Sequence, residues 1–497
     1  MVVVVSQPSG TPGELAGGDD VRAAAQGGAS LLILQAVSRL FGLLFVVVAT
    51  RQLRPEEFGR YSTVAALVLF GCFMGDFGTG SAITRLVSRS PYAADDLLSS
   101  TMLGSLALGF ACYAAVLGFA LVSYSSTSLG DAAIGGLAIP PASMLSSVMG
   151  ALDGRGLIAR RASISALQTL TLAAGAVPLL LGTGVRGALV LMAIAPLLCL
   201  ILAGITARRA GVWSSQLRLD TGRTLDLLRA AAPYAATAGL AALTMRFDVV
   251  LLSLVGSAPD TARYDLALRL LESGTYLSTA LTAPLLFLLS RRLGAGDRDG
   301  ARRAYGEAIR LLYLLGLPLS LGLMLLSRPI VSIALGSAFA GAARPFAIMG
   351  AAQWLTWLAF VQSALIMAGD SMRRAVLVGA SIAGVTAVLD VLLVPAFGAT
   401  GAAVAMVISW TFSALVLGRF NARTTGISTT LPSARVLIPT ASMGVAMTAL
   451  RHQHLLIPIV TGAVVYAGGV LCSRAFMPSD LSRLLRLVGR KRTLPTS

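Results

Sequence analysis

Eight ionisable residues lie inside apolar runs long enough to cross a bilayer: Arg39, Asp76, Arg246, Asp248, Asp265, Arg269, Glu272 and Asp390. On insertion scales such a group costs about 2.5–3.5 kcal/mol at the middle of a spanning helix, so each asks for a reason. Arg39-Leu40-Phe41 and Arg246-Phe247-Asp248 open corresponding segments in the two halves of the chain. A guanidinium presents a planar fork of donors that matches phosphate oxygens. One arginine from each half would therefore make a cationic site for an anionic head group, a pyrophosphate above all. The alternative is a salt bridge between helices. Asp265, Arg269 and Glu272 follow an i, i+4, i+7 spacing and share one helix face. Asp265 with Arg269 reads as a structural pair; Glu272, deeper in the helix, is a candidate for proton or sodium coupling. Arg246 and Asp248 are two residues apart and cannot share a face, so Asp248 is free to pair elsewhere and is a second coupling candidate. Asp390, five residues before Pro395, reads as structural near an outer helix end.

Small residues surround one of these charges. Asp76-Phe77-Gly78 follows Gly71 and Gly75, whose GxxxG spacing lets helices approach closely. Asp76, Gly78 and Pro395 are candidates for structural or hinge roles. Metal and cofactor chemistry find no support. The four cysteines sit in apolar runs without CxxC spacing, and His452 and His454 are the only histidines. Lys491 is the only lysine and stands in Gly489-Arg490-Lys491-Arg492, which is not the phosphate-binding loop of an ATPase.

The elements that position these residues follow from composition. The chain has 497 residues, of which 56% are hydrophobic and 12% charged. Its mean hydropathy is +0.80. Soluble chains carry about 25% charged residues. An all-α polytopic membrane protein is expected, with spans of about 20 apolar residues each. Fourteen such runs fall between residues 29 and 476, the thirteenth (436–450) the weakest. Alternate loops differ in basic residues, 26 against 8, so the rich side and both termini are expected in the cytoplasm. The net charge of +17 has the same origin and does not indicate nucleic acid. Residues 1–28 read as a disordered cytoplasmic tail, and 477–497 as a basic one.

Two stretches roughly 200 residues apart repeat each other. Asp153 and Arg160-Arg161 lead through an apolar run to Pro178; Asp370 and Arg373-Arg374 lead through another to Pro395. Arg54-Pro55-Glu56 with Arg60-Tyr61 matches Ala258-Pro259-Asp260 with Arg263-Tyr264. A duplicated half in a membrane protein marks a transporter. The expected organisation is an N-lobe (29–206), a cytoplasmic linker (207–229), a C-lobe (230–420) and two further helices (436–476). Six spans per copy make the two repeats parallel.

The segments Ser38-Arg39-Leu40-Phe41-Gly42, Arg54-Pro55-Glu56-Glu57-Phe58-Gly59-Arg60-Tyr61 and Gly75-Asp76-Phe77-Gly78 resemble the opening of Wzx-type polysaccharide flippases. These belong to the multidrug/oligosaccharidyl-lipid/polysaccharide (MOP) exporter superfamily. Pro233-Tyr234, Arg246-Phe247-Asp248 and Arg263-Tyr264-Asp265 resemble the start of the family's second lobe. The resemblance implies a V-shaped bundle that moves a polyprenyl-pyrophosphate-linked oligosaccharide to the outer leaflet of the plasma membrane. It implies a cationic central cavity, carried here by Arg39, Arg246 and Arg269. Implied partners are the lipid-linked glycan, the bilayer, and a glycan polymerase or glycosyltransferases. A lipid II-type precursor flippase and a multidrug or cation antiporter are the alternatives. An enzyme is not expected, because the longest outer loop, 327–344, carries Arg328 and Arg344 but no acid.

Overall fold

The structure is a computed structural model that describes residues 40–214, 216–218, 220–368, 372–450 and 453–473. Arg39, both tails, Asp370, Arg451 and His452 lie outside the described residues. Within the described residues every regular element is helical. That follows from the apolar sequence: hydrocarbon offers no hydrogen bonds, and a helix satisfies its backbone internally. The first helices are α1 (Leu40–Gln52), α2 (Pro55–Asp76), α3 (Thr79–Arg89), α4 (Ala94–Ser123), α5 (Ser126–Gly136) and α6 (Ile139–Gly154). Then come α7 (Ile158–Ala173), α8 (Ala176–Leu180), α9 (Gly184–Arg209), α10 (Thr221–Val255), α11 (Ala258–Gly294) and α12 (Arg298–Leu325). The last are α13 (Ser327–Leu335), α14 (Ala343–Ala351), α15 (Gln353–Met367), α16 (Met372–Thr425), α17 (Ala434–Ala449) and α18 (Leu456–Cys472). By length and composition, seven stretches of the described residues could each cross a membrane alone, among them Ala94–Ser123, Gly184–Arg209 and Arg298–Leu325.

The helices form two compact units that do not follow chain order. Of the described residues, the first unit holds those within 40–276, 334–342 and 376–405; the second holds the others. The core of the first packs Ile83, Leu98, Leu152, Ile164, Cys199 and Trp213. That of the second packs Leu289, Tyr305, Leu312, Trp357, Leu365 and Ala414. There Gln362 Nε2 donates to the Ala414 carbonyl at 3.0 Å, and Asn421 Nδ2 to the Gln362 carbonyl at 3.0 Å.

Local sequence sets the helix ends in the first unit. Pro55 occupies the first turn of α2, and the Glu57 carboxylate accepts from the Arg54 backbone N–H at 2.9 Å. α2 stops at Phe77 (φ 45°) and Gly78 (φ 69°), two successive left-handed residues. Asp76 then caps α3, its Oδ1 accepting from Thr79 Oγ1 at 3.2 Å and from the Gly80 N–H at 3.3 Å. A Cβ on Gly78 would lie 2.6 Å from Cβ of Tyr234, so α10 passes too close for any other residue there. α16 is broken at Gly398 (φ 54°, ψ −136°), three residues after Pro395.

The linker before α10 is strapped to the start of α4. Asp95 accepts from the Ser214 N–H at 2.7 Å and its hydroxyl at 3.0 Å, and Arg223 donates to Asp96. That bond pushes the Arg223 guanidinium pKa up. The starts of α2 and α11, which carry the matching segments 55–61 and 259–264, meet. A Cβ on Gly59 would stand 1.9 Å from the Ala258 carbonyl oxygen, a contact between backbones that no rotamer can relieve. Gly59→Val should therefore destabilise the protein by about 1–3 kcal/mol. Thermal unfolding in detergent checks this; an unchanged Tm would mean that the two helix starts are not in contact.

Candidate functional site

Within the first unit, α10 supplies Arg246 and Asp248, α11 supplies Tyr264, Asp265, Arg269 and Glu272, and α2 supplies Tyr61 and Ser62. The i, i+4, i+7 spacing on α11 turns its three charges toward α2 and α10. Asp265 is the centre. Its Oδ2 accepts from Arg269 Nε at 2.7 Å and from the Ser62 hydroxyl at 2.7 Å. Its Oδ1 lies 3.6 Å from Arg246 Nη1. Arg246 reaches on with Nη2 to Glu272 Oε1 at 3.1 Å. The Arg269 guanidinium stands 5.9 Å from the Tyr61 ring centroid, a cation–π contact.

The two acids that hold Arg246 differ in access. The Asp265 side chain is 2% exposed, whereas that of Glu272 is 33% exposed. One counter-ion is sealed from solvent and the other is partly exposed. Removing one partner from a buried pair leaves the other charge unpaired.

Asp248 faces a different partner, as its spacing from Arg246 requires. Its Oδ2 accepts from the Tyr264 hydroxyl and its Oδ1 from the Val249 N–H at 2.7 Å. Asp390, on α16, is buried, its Oδ2 has no hydrogen-bond partner among the described residues, and it lies within Coulombic reach of Asp248. An orphaned buried carboxylate oxygen is costly and unusual. Its sequence position gave a structural residue; the signal that singles it out is the repeat, since the first copy carries Ala173 five residues before Pro178. Spacing also missed Asp131 on α5, fully buried between Arg60 of α2 and Arg186 of α9, its Oδ1 3.6 Å from Arg186 Nε. These partners are 71 and 55 residues from Asp131, and no local pattern announces them.

Of the residues singled out by sequence, the structure brings together Arg246, Arg269 and Glu272, and sets Asp248 beside them on Tyr264. Asp76 and Gly78 end a helix elsewhere in the unit, and Pro395 precedes the break in α16. Arg39 is outside the described residues. Among the described residues no three of His, Cys, Asp and Glu converge to hold a metal.

Asp265→Asn should cost about 3–5 kcal/mol, because it removes the acid bonded to Arg269 and leaves Arg246 to Glu272 alone. Ser62→Ala should cost only about 1 kcal/mol. Thermal unfolding of both variants checks the order; equal small shifts would remove Asp265 from the centre of the network.

No curated protein sequence matches this chain significantly. Its structure is similar to that of "Lipid II flippase MurJ, inward closed conformation", with a TM-score of 0.75 at 15% identity, covering 92% of this chain and 100% of that one. It is similar to an inward-facing multidrug resistance MATE family transporter of the MOP superfamily, with a TM-score of 0.61 at 16% identity, covering 79% and 98%. It is also similar to a MOP superfamily transporter from Pyrococcus furiosus whose binding pocket is described as having reverse polarity, with a TM-score of 0.56 at 14% identity, covering 80% and 94%. These likenesses establish the fold. A family profile described as polysaccharide biosynthesis protein matches residues 24–283, which include α2, α10 and the charged face of α11. The chain, with the fold shared by MurJ and the MATE transporters, belongs to the polysaccharide biosynthesis protein family.

Proposed function

We propose that the protein flips a polyprenyl-pyrophosphate-linked oligosaccharide from the inner to the outer leaflet of the plasma membrane, by alternating access, during assembly of a cell-surface polysaccharide. Arg246 is the observation that carries this. It has one locked counter-ion, Asp265, and one exchangeable counter-ion, Glu272, on a chain of the polysaccharide biosynthesis family. Phosphate oxygens accept the same forked hydrogen bonds as a carboxylate. A pyrophosphate arriving beside α10 and α11 takes the place of Glu272 while Asp265 keeps the arginine aimed. Arg269 adds a second cation; Arg39, the further candidate that the resemblance implies, lies outside the described residues. A proton or cation on Glu272 would release Arg246 in the same way, which ties coupling to binding. Asp248, beside Tyr264 and Asp390, is the other coupling position. Both termini are assigned to the cytoplasm, and glycosyltransferases and a glycan polymerase would supply and consume the substrate.

Two other readings draw on specific observations. Asp248, Asp265, Glu272 and Asp390 outnumber Arg246 and Arg269, which favours a cation or drug antiporter of the same superfamily. A lipid II-type precursor carries the same pyrophosphate and polyprenyl groups, so the same residues would serve it.

The test is transfer of fluorescent undecaprenyl-pyrophosphate oligosaccharide across proteoliposomes by wild type, Arg39→Ala and Arg246→Ala. Loss of a charge-assisted bond worth about 1.5–3 kcal/mol should slow transfer about 10–100-fold. Normal transfer in both variants would make the arginines purely structural and sink the proposal. A head group with two negative charges moving outward gains about 2.3 kcal/mol per charge per 100 mV of inside-negative potential. Collapsing the potential while keeping the pH gradient should therefore stop transfer; continued transfer would show that the potential does not drive it.

A further inference from the structure

A second cluster of arginines lies at the end of the first unit where α6 stops, α7 starts and α9 stops. α7 packs against both α6 and α9. Their ends surround a cavity of about 320 Å³ lined by Gly154, Arg155, Leu157 and Ala210. Arg160 and Arg161 occupy the first turn of α7, and Arg208 and Arg209 close α9 directly before Ala210. Asp153 stands at these helix ends, held by Arg161 at 3.3 Å, and Asp95 is held by Ser214 just beyond α9. The Arg208 guanidinium lies 4.7 Å from the ring centroid of Trp213, and that ring is buried in the core. Arg160, Arg208 and Arg209 are exposed. The start of α7 has no side-chain cap, so its free N–H groups add to the positive field.

The outer face of α9 defines the other half of the ligand. Ile194, Leu198, Ile201 and Ile205 are exposed, at steps of four, three and four that keep them on one side of the helix. Arg208 is the next position on that side. From Ile194 to Arg208 the stripe runs about 21 Å at 1.5 Å per residue. One leaflet of hydrocarbon is about 15 Å deep. A free phosphate would use the arginines and leave the stripe idle. A phospholipid uses both, with its head group over the cavity and its chains along α9.

We propose that this cavity binds the phosphodiester head group of an anionic phospholipid, phosphatidylglycerol being the simplest example, drawn from the leaflet that faces the arginine-rich loops. The site is separate from Arg246 and stands whether or not the proposed substrate is right. Basic pockets at the ends of spanning helices hold acidic head groups by the same physics.

Native mass spectrometry of the purified full-length chain tests it. Delipidated protein is offered phosphatidylglycerol or zwitterionic phosphatidylethanolamine, with and without millimolar inorganic phosphate. Wild type should retain phosphatidylglycerol preferentially. The triple variant Arg155→Gln, Arg208→Gln, Arg209→Gln should lose that preference by about fivefold per arginine. Arg302→Gln with Arg303→Gln, which removes charge from the second unit, should leave it unchanged. If the triple variant does not fold, Arg209→Gln alone, at an exposed position, should still weaken retention about fivefold. Equal retention of the two lipids would overturn the proposal. So would equal losses in the two sets of variants, or displacement by inorganic phosphate as readily as by lipid.

Discussion

The Asp265 carboxylate is buried where water cannot reach it, so its charge must be answered by the protein. Arg269, Arg246 and Ser62 provide that answer from three helices. A charge in such a place fixes its neighbours: α11 cannot rotate and α10 cannot slide without weakening an ion pair, and α2 cannot withdraw without breaking the Ser62 hydrogen bond. The site is therefore preorganised. It gains specificity of arrangement more than stability, since an apolar replacement of the whole network could be neutral.

This network also joins the two copies of the duplicated half. Ser62 follows Arg60-Tyr61, and Asp265 follows Arg263-Tyr264, so corresponding positions of the repeat hydrogen-bond to each other. Gly59 and Ala258 touch through their backbones nearer the starts of the same two helices. At this contact one segment carries a hydroxyl and the other an acid. That asymmetry confines the buried charge to one copy and leaves its partner helix neutral at the contact.

Helical class and the identity of the buried charges were legible in the chain because each has a short-range or periodic signature. Asp265 and Arg269 declared themselves as a pair four residues apart. The partner of Arg246 did not, because Glu272 is 26 residues away on another helix and contact between helices leaves no periodic trace. A cationic site was expected from the arginines; the structure sets acids against both Arg246 and Arg269. Asp131 was passed over for the same reason as Glu272's pairing, its two arginines coming from distant helices. Asp390 shows a different limit: burial without a partner is a property of packing, and sequence offers only the comparison with Ala173 in the other copy.

The central claim is that a phosphate competes with Glu272 for Arg246. Its most direct test is the affinity of the solubilised protein for a polyprenyl-pyrophosphate glycan, measured for wild type, Glu272→Gln and Arg246→Gln. Removing the competing carboxylate should tighten binding by about tenfold, the scale of one charge-assisted hydrogen bond, and removing the arginine should weaken it by a similar factor. Binding that is unchanged or weaker in Glu272→Gln would contradict the exchange of partners at Arg246.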